Sequence, residues 1–64
     1  MFNNDKLKKL SEERDLYRAH PENEFLQAKE FKSIAKAVLI VAEEIDIPTA
    51  DEAELIEWAQ NINR

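Results

Sequence analysis

The sequence predicts an all-α fold, a small three-helix bundle, on three observations. Apolar residues recur at helical spacings of three and four, the two prolines divide the chain into three parts, and the turns between those parts would be about three to five residues long, a normal length for bundles. The expected helices span approximately 4–19, 21–46 and 50–63. With 64 residues the chain is expected to form one domain, 1–64, in the size range where a single core is marginal. No cysteine is present to staple it. Helix packing or oligomerisation must then supply the stability, so a helical hairpin completed by dimerisation is the structural alternative.

The first helix is signalled by Leu7, Leu10 and Tyr17, with Arg14 completing the row and Leu16 on the far side. Asn3 or Asn4 is expected to cap its start, although Ser11-Glu12-Glu13 could also open a new helix. The second helix is expected to begin at His20-Pro21, because proline suits a position whose N–H has no helical partner. Glu22 and Glu24 would complement the positive end of the helix dipole. Pro48 disfavours helical geometry in the residue before it, which places the end near Asp46. Between these limits Ala28, Phe31, Ala35, Val38, Ala42 and Ile45 form a short heptad with alanine at each first position, where a neighbouring backbone can approach closely.

"TADE" opens the third helix. Thr49 and Glu52 have the capping-box spacing, in which each side chain accepts the other's free backbone N–H. Leu55, Trp58, Ala59 and Ile62 then share one face, and Glu54 and Glu57 lie outside it.

The net charge of −5 is a property of the C-terminal half. Residues 1–36 carry eight Lys/Arg against seven Asp/Glu, whereas residues 37–64 carry only Arg64 against seven acids. Such a field repels nucleic acid and favours basic protein surfaces. The lysines and arginines of the first helix are interrupted by acids, unlike a DNA-reading helix, so no direct nucleic-acid binding is expected.

The missing glycine removes phosphate-cradling loops, and no cofactor is expected. His20 is alone, has no Glu-x-x-His pattern around it, and is read as a turn histidine before a proline. The acids Glu43, Glu44, Asp46, Asp51, Glu52, Glu54 and Glu57 lack a calcium-loop spacing, so no metal is expected, and they are read as a solvated face available for recognition. Ser11, Ser33 and Thr49 have no activating arrangement, which leaves no catalytic residue and no enzyme expected. Trp58, the only tryptophan, is read as core.

The run Ala37–Ala42 falls far short of the roughly 20 apolar residues that span a bilayer, so no membrane role is expected. The opening MFNNDKLKKL has no signal-peptide core, and a cytoplasmic location is expected. Most of the apolar run suits a middle helix with two neighbours. Ile40 does not, since Lys29, Ser33, Lys36, Glu43 and Glu44 share its face.

The segment "HPENEFLQAKEFKSIAKAV" resembles the early helix of hexameric glutamate dehydrogenases, which carries an "EFxQAV" run. The resemblance implies only a helix used for packing. The chain has neither the length nor the glycine fingerprint of a dehydrogenase, and no residue role is carried over.

The function expected from these features is that of a small acidic protein–protein interaction module: a regulator, inhibitor or accessory subunit of a protein partner with a basic surface. Its expected contact residues are Ile40, Val41, Glu43, Glu44, Asp51, Glu54 and Glu57. Two alternatives are a DNA-mimic inhibitor of a DNA-binding protein or nuclease, using the acidic C-terminal half, and a structural homodimer pairing the alanine seam of the second helix with its copy.

Overall fold

A computed structural model of the chain describes residues 1–19 and 24–63, with side chains in the second helix described from Ala28 onward. It is an all-α arrangement of α1 (Asp5–Ala19), α2 (Glu24–Ala42) and α3 (Ala50–Ile62). The expected helix start at His20-Pro21, and the dipole role of Glu22, lie outside the described residues.

Asn4 sets the beginning of α1. Its side-chain oxygen accepts the N–H groups of Lys6 at 2.9 Å and Leu7 at 3.2 Å, and its carbonyl accepts that of Lys8 at 3.1 Å. Two donors that have no partner inside the helix are thereby satisfied. The helix then runs unbroken through Ser11-Glu12-Glu13.

Helix α2 is the centre of the fold. It packs against both α1 and α3, which meet each other only slightly. The core is small: Leu7 from α1, Ile34, Ala35 and Val38 from α2, and Leu55 and Ala59 from α3. The two alanines let the helices come together, and Val38 and the leucines fill the space between them. Phe31, Ala42 and Ile45 flank this centre half-buried, and Ala28 is exposed, so the neighbours cover the heptad from Phe31 onward. Ala35 is fully covered within the chain. The middle of the alanine seam therefore serves the internal packing, while Ala42 is half-buried and Ala28 exposed.

The C-terminal end of α2 also differs from the sequence expectation. Regular helix stops at Ala42, four residues before Asp46, and the next bonds reach back only three residues, from Glu44 N–H to the Val41 carbonyl at 3.0 Å and from Ile45 N–H to the Ala42 carbonyl at 3.1 Å. The physical reason is electrostatic as well as steric. No basic residue stands in the last turn of α2, and Glu43 and Glu44 follow it at the negative end of the helix dipole. Without glycine, and with no positive φ among the described residues, the chain closes its last carbonyls by tight turns rather than by a left-handed cap. Ile45 still packs against the core after the helix has ended.

Thr49 then starts α3 as the "TADE" pattern requires. Its hydroxyl accepts the Glu52 N–H at 3.3 Å, and the Glu52 carboxylate accepts the Thr49 N–H at 2.9 Å. Asn63 ends the helix, donating its N–H to the Ala59 carbonyl.

Candidate functional site

The residues expected to meet a partner fall into two groups, one at the C-terminal end of α2 and one on α3. The first is on α2. At 100° per residue, Ile40 lies about 160° around the helix from the middle of the stripe that faces α1 and α3. It is 65% exposed, between Lys36 on one side and Glu43 and Glu44 on the other, all of them exposed. Val41 belongs with the interior: it is half-buried and packs against the core, so it offers an edge rather than a surface.

The second group is on α3. Asp51 and Glu54 border a cleft of about 130 Å³ between α1 and α3, whose other walls are Phe2, Ser11, Arg14 and Leu55. Asp51 receives the Met1 amino group. Glu57 is exposed one turn further along α3. Ile40 faces away from the cleft that Asp51 and Glu54 border.

Glu52 departs from the acidic face on which the sequence places it. Its side chain is buried, with 1% of the residue exposed, and every part of the carboxylate is used. One oxygen closes the capping box with Thr49, and the other accepts the Asn3 N–H at 3.1 Å and the Asn4 N–H at 2.8 Å. These hydrogen bonds, the one from the Thr49 backbone foremost, hold the carboxyl below its ordinary pKa against the opposing effect of burial. Glu52 is thus a structural clasp between the N-terminal segment and α3. The capping-box spacing announces half of it, but the partners at Asn3 and Asn4 are brought in only by the tertiary fold.

Arg14 has a second role that sequence spacing hints at without defining. It occupies the apolar row of α1, and its guanidinium lies 5.1 Å from the centre of the Trp58 ring while also reaching the Asp15 carboxylate at 3.2 Å. Its charge is therefore spent inside the molecule, over a ring face. Trp58 in turn meets Phe31 edge-on at 5.8 Å, and Phe31 meets Tyr17 edge-on at 6.4 Å. The half-buried Trp58 packs against the core as expected, tied to all three helices through these aromatic and cationic neighbours.

Among the described residues no group of three or more His, Cys, Asp or Glu side chains is gathered as metal ligands would be. Among the same residues no helix is long and apolar enough to cross a membrane. Comparison with protein-family models, curated proteins and solved structures returns no match.

Proposed function

We propose that the chain is a non-catalytic interaction module that docks the acids of its C-terminal half on a basic surface of a protein partner. One observation carries the reading: Glu43, Glu44, Glu54 and Glu57 are exposed, and among the described residues no cation pairs with them. Carboxylates left without internal partners supply steering and electrostatic complementarity toward lysine and arginine on another protein. Glu52 is excluded from this surface, because its oxygens are already saturated by backbone donors. Ile40 adds an apolar contact beside Glu43 and Glu44.

A pull-down from the native host, washed at low and at high salt, tests the reading. The partner is expected to elute as salt rises and to be lost from a Glu54→Lys/Glu57→Lys variant. Retention by that variant, with undiminished binding at high salt, would overturn it.

A second reading rests on the arrangement along α3. Asp51, Glu54 and Glu57 are exposed and follow one another at three-residue steps, a rise of about 4.5 Å each. Such a row of charge suits a groove built for phosphates, and the chain would then act as a DNA-mimic inhibitor. Competition distinguishes the two: duplex DNA displaces the chain from a DNA-binding target and leaves another basic partner bound.

A further inference from the structure

The outward face of α2 has an order of charge that nothing in its own helix balances. Passing from N- to C-terminus, exposed Lys29, Lys32 and Lys36 are followed by exposed Ile40 and then by exposed Glu43 and Glu44. None of the three lysines has an acid three or four residues away in the sequence, and neither glutamate has a cation at those distances. Lys36 lies one turn before Ile40 in α2, and Glu43 follows just past the end of the helix. Among the described residues no ion pair within the chain joins these groups. The acids also stand at the end of α2 where the helix dipole disfavours them.

A second copy of the same face, running antiparallel, balances the charges nearest Ile40, which are Lys36, Glu43 and Glu44. We infer that the chain self-associates through the outward faces of two antiparallel α2 helices, with Ile40 of each copy at the two-fold axis. In that arrangement the acidic end of one helix lies over the lysine end of the other, and symmetry makes the contact twice: Lys36 against Glu43 and Glu44 of the second copy, and the reverse. The exposed isoleucine is then covered by its equivalent. A parallel pair would instead set lysines on lysines and glutamates on glutamates. A single helix face buries less than the about 800 Å² per partner of a standard interface, so the association is weak and depends on its charges. It covers Ile40, Glu43 and Glu44 and leaves Glu54 and Glu57 on α3 exposed in both copies.

Charge reversal followed by mixing tests the pairing. Sedimentation equilibrium at low salt is expected to show concentration-dependent dimerisation of the natural sequence. Lys36→Glu, Glu43→Lys/Glu44→Lys and Ile40→Glu are each expected to weaken it at least tenfold, with helical circular dichroism no lower than that of the natural sequence, because every substituted residue is exposed. The first two variants, mixed in equal amounts, are expected to recover association as a heterodimer. A natural chain that stays monomeric at millimolar concentration, or folded charge-reversed variants that fail to associate on mixing, would overturn the inference. So would a dimer that survives Ile40→Glu. Loss of the host partner in the pull-down leaves all of these readouts untouched, so the two readings fail separately.

Discussion

Glu52 receives the backbone N–H of Asn4 at 2.8 Å across 48 residues of sequence, joining the start of α1 to the start of α3. The same carboxylate accepts from Asn3 and Thr49, so a single buried side chain serves three backbone donors. Glu52→Gln keeps the shape but turns one oxygen into a donor, which must face either the Thr49 N–H or the pair at Asn3 and Asn4. Its thermal midpoint at neutral pH is therefore expected to fall further than that of Thr49→Ala. That cap substitution should itself cost about 1 kcal/mol, or roughly 4–8 °C in so small a domain.

The same residue predicts an acid dependence. Hydrogen bonds to its ionised form hold Glu52 below its ordinary value of 4.5 in the folded chain. Above 4.5 the unfolded chain is ionised as well, and the full stabilisation is present. As pH falls through the depressed folded value the unfolded state binds the proton more readily, and the contribution is lost. Urea unfolding of the natural sequence and of Glu52→Gln should thus give midpoints whose separation narrows progressively below pH 4.5. A separation that stays constant to pH 3 would remove Glu52 as the source.

Arg14 and Trp58 give a third expectation. With the guanidinium 5.1 Å from the ring centre, Arg14→Ala removes a cation from the ring face and uncovers a half-buried indole. Tryptophan emission should move to longer wavelength, with a stability loss of about 0.5–2 kcal/mol. Arg14→Lys should recover part of the stability but less of the shielding, because an ammonium lacks the planar group that covers the ring. Trp58 is the only tryptophan, so its fluorescence reports this site without interference.

How much of this was legible follows from the range over which each signal acts. The α3 start was, because Thr49 and Glu52 are three residues apart and satisfy each other locally. The exposed position of Ile40 was, because its polar neighbours share its side of one helix. The end of α2 was not: the apolar pattern continues to Ile45, which does pack on the core, and periodicity cannot tell a helical residue from one folded back by tight turns. The division of the acids between the α1–α3 cleft and the outward face of α2 was hidden as well, since it depends on how the helices are placed around one another. Glu52 shows the limit most directly, half its contacts being local and half nearly the length of the chain away.

The contrast between Leu55 and Ile40 supplies the last test, and it concerns where an apolar side chain matters. Leu55 is 1% exposed and Ile40 65%, although both are large aliphatic residues on the surface of an amphipathic helix. Truncating Leu55 to alanine removes buried atoms and leaves a cavity, at a cost of about 2–5 kcal/mol. Sixty-four residues at a typical per-residue stability hold only roughly 3–10 kcal/mol in all. Leu55→Ala is thus expected to unfold most or all of the chain at 37 °C, as read by loss of the helical circular dichroism signal. Ile40→Ala, measured on dilute protein, should shift the unfolding free energy by no more than about 0.5 kcal/mol, because its side chain is already largely in water. A destabilisation by Ile40→Ala that approached that of Leu55→Ala would mean that Ile40 is covered even in the dilute chain, and would place it in the core rather than on the outward face of α2.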